Sequence, residues 1–149
     1  MKKFNILLLL SFFWLATSCD DKAEMNYVKK NDLTGKWNIT ETGAINGSGG
    51  LEYFPYVNDD CGGTDVDNIV FNEDLTFAQN DFSNATGTCQ LNSLPGTYVQ
   101  DNHALTLTQV DIDGTIHKLL LTITKLDPTH LEVTYDLGGQ LAFLKLERE

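Results

Sequence analysis

After residue 33 the chain alternates. In residues 117–125 (HKLLLTITK), Leu119, Leu121 and Ile123 take one side of an extended backbone, and Thr122 and Thr124 take the other. Leu131, Val133 and Tyr135 alternate in the same way with Glu132 and Thr134. No window beyond Asp32 keeps apolar residues at i, i+3, i+4 and i+7 for a helical length, so the period is two throughout. Helical bundles and alternating α/β folds are thereby excluded. Between the two runs, Asp127-Pro128-Thr129-His130 reads as a turn: proline fixes φ, and the aspartate can accept from the backbone just after it. Three more hairpins follow the same logic. Residues 69–71 and 75–77 flank Asn72-Glu73-Asp74; residues 96–99 and 104–108 flank 100–103; residues 105–110 and 116–121 flank Asp113-Gly114, a strong two-residue turn signal. Residues 35–42 open the domain as a strand, residues 140–146 close it, and the glycines of 43–50 mark a loop. About eight strands with mostly short turns predict an all-β domain over residues 33–149, either a single antiparallel up-and-down β-barrel or a meander sandwich. An immunoglobulin-type sandwich would want a tryptophan between its paired cysteines, and both Trp14 and Trp37 precede Cys61. The barrel is the better fit.

The first 18 residues have a different character. Lys2 and Lys3 precede an apolar stretch that ends in Ala16, Thr17 and Ser18, the layout of a secretory signal peptide. It falls short of the roughly 20 apolar residues that a membrane span needs. Ala16-Thr17-Ser18-Cys19 resembles the lipobox of bacterial lipoproteins, with alanine where leucine is usual. That resemblance implies a Cys19 carrying several acyl chains, palmitate among them. Such a modification would hold the chain on a bilayer durably, as a single chain would not. Residues 20–32 carry seven charges in 13 positions and read as a flexible tether, reaching about 45 Å when extended. The expected location is the cell envelope, lipid-anchored at the outer membrane, with the facing side left open.

Charge narrows the partners. The chain holds 10 basic and 21 acidic side chains, and loss of the first 18 residues removes two lysines and no acid, taking the net charge from −11 to −13. Nucleic acid is an improbable partner, since phosphate binding wants a basic footprint. Cys61 and Cys89 are the remaining cysteines after Cys19, and in an exported chain they favour a disulfide over free thiols. Closing their loop of about 29 residues would contribute roughly 3.5 kcal/mol in the chain-entropy model.

Leu33-Thr34-Gly35-Lys36-Trp37 resembles the G-x-W signature of lipocalins. Its surroundings resemble the lipocalin-like domain of Gram-negative lipoproteins: a lipobox, a short tether, L-x-G-x-W, then an acidic cysteine stretch (Asp59-Asp60-Cys61). An F-N-x-D-G-T-type hairpin follows (Phe71-Asn72-Glu73-Asp74-Leu75-Thr76), then a second cysteine, Gly96-Thr97-Tyr98, Leu105-Thr106-Leu107 and a final hairpin. The resemblance covers about residues 33–147. It implies a small barrel related to fatty-acid-binding folds, with Gly35 and Trp37 as its signature and Trp37 plugging one end. Leucine at 75, where glycine is usual, predicts a wider turn there. A ligand does not follow from the fold.

No catalytic residues are expected. His103, His117 and His130 are far apart in sequence and read as surface histidines, and neither G-x-S-x-G nor H-E-x-x-H occurs. No metal or cofactor is assigned. Residues 58–67 offer Asp59, Asp60, Asp65 and Asp67 to calcium, but not at D-x-D-x-D-G spacing, and an acidic loop crossed by a disulfide accounts for them equally. The aromatics Tyr53, Phe54 and Tyr56 have two readings, strand packing or the lining of an apolar barrel mouth. Two functions compete accordingly. One is a membrane-anchored barrel binding a small apolar or amphipathic ligand. The other is a non-enzymatic lipoprotein with a filled barrel that binds an envelope protein. Leu119, Leu121, Ile123, Leu131, Val133, Phe71 and Phe77 are large enough nearly to fill the interior, and this question of bulk separates the two readings.

Overall fold

A computed structural model describes residues 32–58, 61–62, 65–84 and 87–149. The expected signal segment, Cys19 and all of the expected tether before Asp32 lie outside the described residues. Among the described residues nine antiparallel strands follow one another: β1 (Gly35–Ile45), β2 (Leu51–Pro55), β3 (Asn68–Phe71), β4 (Thr76–Ser83), β5 (Gln90–Asp101), β6 (Ala104–Val110), β7 (Ile116–Leu126), β8 (His130–Asp136) and β9 (Leu141–Arg148). They form one sheet that closes by pairing β1 with β9, from Trp37↔Arg148 to Ala44↔Ala142. The wall has eight staves, because β2 and β3 lie in line along the same edge of β1. Two backbone bonds bridge the gap between them, Tyr56 N to Thr40 O (2.8 Å) and Ile39 N to Asp67 O (2.9 Å). Val57 and Asn58 on one side and Asp65 and Val66 on the other therefore leave and re-enter a single stave. The Cys61–Cys89 disulfide, with its Cα atoms 5.3 Å apart, fastens that excursion to the β4–β5 connection.

Alternation decides what fills the barrel. Trp37, Phe71, Phe77, Tyr98, Leu105, Leu107, Leu121, Ile123, Leu131, Val133 and Leu146 all point inward and are buried, and Leu33 seals the end beneath them. Among the described residues the buried core runs from Leu33 to Leu146. The Trp37 indole N–H donates to Leu33 O (2.7 Å), and the Arg148 guanidinium covers its ring 4.3 Å from the centroid. Phe71 meets Tyr98 edge to face at 5.0 Å, and the Tyr98 hydroxyl donates to Asn72 O (2.9 Å). The Trp37 indole and the Tyr98 hydroxyl thus keep partners in the floor, while the buried Arg148 Nε has none among the described residues.

Two local expectations are corrected. Leu75 does not widen its turn: the β3–β4 hairpin stays tight, with Asn72 N to Thr76 O at 2.9 Å, and Leu75 itself takes φ +67°. A side chain in this left-handed region costs roughly 1–2 kcal/mol relative to glycine. Packing of the leucine against the core offsets it. The strand expected over residues 96–99 is longer, Gln90–Asp101, because β4 pairs with it from Thr76↔Thr97 to Ser83↔Gln90. The QLNSLP stretch has no alternation of its own. Its partner imposes the extension.

Candidate functional site

The inward row of β7 shows where the solid core stops. Ile123 and Leu121 are 1% and 3% exposed; Leu119, next on the same face, is 38% exposed. The rows beside it behave alike. On β8 Leu131 and Val133 are buried, and Tyr135 is half-buried, with burial pushing its hydroxyl above the ordinary tyrosine value. Phe54 pairs with Thr42, and Thr42 with Leu144, so all three share the lumen face, yet Phe54 is 50% exposed. Leu94, opposite Gln79 and on the same face as Phe77, is 40% exposed. Interior bulk therefore fills the lower half and leaves the upper half as an open cup. Of the seven residues expected to nearly fill the barrel, Leu119 is the one that does not enter the packed core.

One wall of the cup is apolar (Phe54, Leu119, Tyr135, Leu144), and the other is polar. Gln79, Asp81 and Asn92 occupy successive lumen positions on β4 and β5, and Gln109 pairs with His117 across β6 and β7. The Gln79 amide donates to both oxygens of Asp81, at 3.1 and 3.0 Å. The cup also opens sideways. Toward β6, β5 is paired from Gly96 onward, while Gln90–Pro95 pair with β4 alone. A cleft of about 650 Å³ lies at this seam, lined by Asn92, Leu94, Pro95, Gln109, Val110 and Ile112 with Asp111 and Asp113 of the β6–β7 turn. Its volume falls within the usual range for small-molecule sites.

The three aromatics expected at the mouth divide between environments. Phe54 faces the lumen. Tyr53 does not, because strand alternation turns it outward: its ring packs edge-on to Phe143 (6.4 Å) beneath the Lys145 ammonium (3.8 Å), with Gly43 leaving the room between them. The Glu41 carboxylate, 2.5 Å from that ammonium, holds Lys145 above the ordinary lysine value. Tyr56 is half-buried, and its hydroxyl donates to the Asp67 carboxylate.

Sequence reasoning treated Asp67 as a candidate calcium ligand; the structure makes it a hub. The carboxylate is buried and accepts from Tyr56 Oη, Asn58 Nδ2 (2.9 Å) and Phe82 N (2.7 Å). Asn58 donates onward to Phe82 O (2.8 Å). Asp67 thus fixes both ends of the excursion to β4. Asp59 and Asp60 lie outside the described residues. Among the described residues, the grouping of metal-type ligands is Cys61, Asp65 and Cys89, whose sulfurs are bonded to each other. The histidines are dispersed: His103 meets Ile123 O (2.9 Å), His117 meets Asp111 (2.7 Å) and His130 meets Asp127 (3.1 Å). Gly35, at φ +135°, leaves space that Arg148 occupies.

Comparison with known proteins agrees with this architecture. Among solved structures, the chain is similar to a lipocalin-like protein from Bacteroides uniformis ATCC 8492 at 14% identity, covering 79% of this chain and 99% of that one, with a TM-score of 0.52. It is also similar to an uncharacterized protein from Bacteroides eggerthii DSM 20697 (9% identity, 78% and 99% coverage, TM-score 0.49). The bovine lipocalin allergen Bos d 2 shows 16% identity, 80% and 73% coverage and a TM-score of 0.44. No curated protein sequence matches. At 14% identity the first of these likenesses speaks to the fold alone, and the other two, with TM-scores under 0.5, carry no argument. A sequence model described as a lipocalin-like domain matches residues 33–133. The chain belongs to the lipocalin-like domain family.

Proposed function

We propose that this protein is a binding barrel, tethered to the cell envelope through acylated Cys19, whose upper cup takes a small amphipathic ligand. The observation that carries the reading is the break along one inward row, from Leu121 at 3% exposure to Leu119 at 38%. A barrel that served only as a scaffold would gain from burying Leu119, Phe54 and Leu94, because each, 38–50% exposed, forgoes about 1 kcal/mol of burial. A ligand supplies the missing apolar surface. Titration of the purified protein with N-phenyl-1-naphthylamine tests this. Saturable fluorescence enhancement is expected, and Leu119→Asp should weaken it about tenfold or more. Absence of saturable binding refutes the reading. The anchor has its own test: Cys19→Ser should release the protein from membranes or leave it unprocessed, and unchanged membrane fractionation of mature protein refutes acylation at Cys19.

A second reading rests on the outer face. Val99, Val110, Ile112, Ile116 and Leu120 on β5–β7 and their turn are all more than half exposed, and cross-strand register puts Val99 and Leu120 on either side of Thr106. A patch of this kind favours a protein partner of the envelope. It takes first place if the cup binds no probe.

A further inference from the structure

The charges around the cup have one sign. From residue 32 onward the chain has four lysines and one arginine. Lys36 pairs with Glu149 at the lower rim, Lys125 with Asp127 and Glu132, and Lys145 with Glu41 on the outer face. Arg148 covers Trp37 under the floor. Lys118 pairs with Thr108, one position out of phase with the inward Leu107 and Leu119, so it faces outward. None of these cations reaches the lumen face. The carboxylates do: Asp81 lies on the inward row of β4, two positions above Gln79, and Glu52 shares the inward parity of Phe54. Asp111 and Asp113 line the side cleft. His117 has inward parity, but its Nε2 is held 2.7 Å from Asp111.

An apolar wall facing a carboxylate-bearing wall fixes the polarity of what fits. A carboxylate-headed amphiphile would bring a like charge toward Asp81 and Glu52 with no cation to receive it. An ammonium head meets the opposite situation. Gln79 orients the Asp81 carboxylate without neutralising it, leaving lone pairs for a charged donor.

We infer that the cup is selective for an amphiphile with a cationic head, its apolar body against Leu119, Tyr135, Leu144 and Phe54 and its head beside Asp81. The inference rests on the ligand-binding reading above and names the class of ligand for that site. Charge-assisted hydrogen bonding in a half-exposed setting is worth about tenfold in affinity.

The test uses residues 20–149, since the barrel closes on itself and builds its core from residues 33–146. N-phenyl-1-naphthylamine, a neutral probe, is bound first, then displaced by dodecylamine, dodecanol or dodecanoate below their micellar limits. The titration is run at pH 8, where an ordinary imidazole is uncharged. The expected order is dodecylamine first, dodecanoate last, with at least a tenfold separation. Asp81→Asn should collapse most of that separation, while Asp101→Asn, which removes the same charge at the opposite end of β5, should leave it intact. If the neutral probe binds and dodecanoate displaces it as well as dodecylamine does, the selectivity is refuted and the binding reading stands. Equal effects of Asp81→Asn and Asp101→Asn would overturn the role of Asp81 in favour of overall charge. Failure of the neutral probe itself to bind refutes both.

Discussion

Replacing Asp67 with alanine should be among the most damaging substitutions outside the apolar core. Its side chain is 8% exposed, and its two oxygens accept from Tyr56 Oη, Asn58 Nδ2 and Phe82 N. Asp67→Ala strands the Phe82 amide and takes one of the two bonds that the Asn58 amide donates among the described residues, the other going to Phe82 O. A buried donor left unsatisfied costs about 1–3 kcal/mol. Two such donors and a half-buried tyrosine hydroxyl then give roughly 3–5 kcal/mol. Asp67→Asn keeps one acceptor oxygen but turns an amide N–H₂ toward other donors, for about 2–3 kcal/mol. Tyr56→Phe removes one donor while the carboxylate keeps two, for about 1 kcal/mol. Urea melts of residues 20–149 measure all three, with Trp37 as the single tryptophan reporter. A double-mutant cycle between positions 56 and 67 should show coupling above about 0.5 kcal/mol. Should Asp67→Ala fall within about 0.5 kcal/mol of wild type, the hub does not hold the excursion and the reasoning fails.

Four further outcomes are expected. Trp37→Ala, which empties a fully buried site and strands Leu33 O, should cost about 3–5 kcal/mol in the same melt. A Cβ on Gly96 would lie 2.5 Å from Thr108 O and from Phe77 Cε1, so Gly96→Ala should cost about 1–3 kcal/mol, against near neutrality for Gly47→Ala, where nothing lies within 4 Å. Reducing Cys61–Cys89 should lower stability by about 2–4 kcal/mol, read as a shift in the urea midpoint, and the native unreduced protein should resist alkylation. Backbone N–H groups of Thr129 and then His130 hold the Asp127 carboxyl well below the usual carboxylate range. Its contribution is thus present above about pH 4 and lost as pH falls below that, so the melting-temperature gap between wild type and Asp127→Ala should shrink on acidification.

Turn chemistry and alternation made most of the wall legible. Asp127-Pro128 and Asp113-Gly114 announce their hairpins by conformational preference, and Leu119, Leu121 and Ile123 declare one face by period two. Where the signal was non-local, it was missed. Nothing in QLNSLP marks a strand until β4 is beside it, and nothing in sequence shows that residues 56 and 67 resume one stave. Tyr53 and Phe54 are a case of a different kind. Adjacent aromatics on a strand must face opposite sides, so only the parity of β1 against β9, shifted by the bulge between Ile39 and Glu41, tells which one enters the cup. Asp67 was visible as an acid in an acidic loop; its three donors come from Tyr56, Asn58 and a β4 amide 15 positions away, which only the fold brings together.

Closure has a consequence in time. Strand β1 is among the first parts of the barrel to be made, and one of its edges finds β2 and β3 within a few dozen residues. Its other edge waits for β9, and the pair Trp37↔Arg148 cannot form until residue 148 has joined the folding chain. Until then the forming wall carries an open border at β1, the kind of border that recruits other strands. Shortening β9 by a few residues would keep that border open for good. Variants trimmed at the end of β9 should therefore associate with themselves rather than simply melt sooner, because for a wall of this shape the last strand is what makes the first one safe.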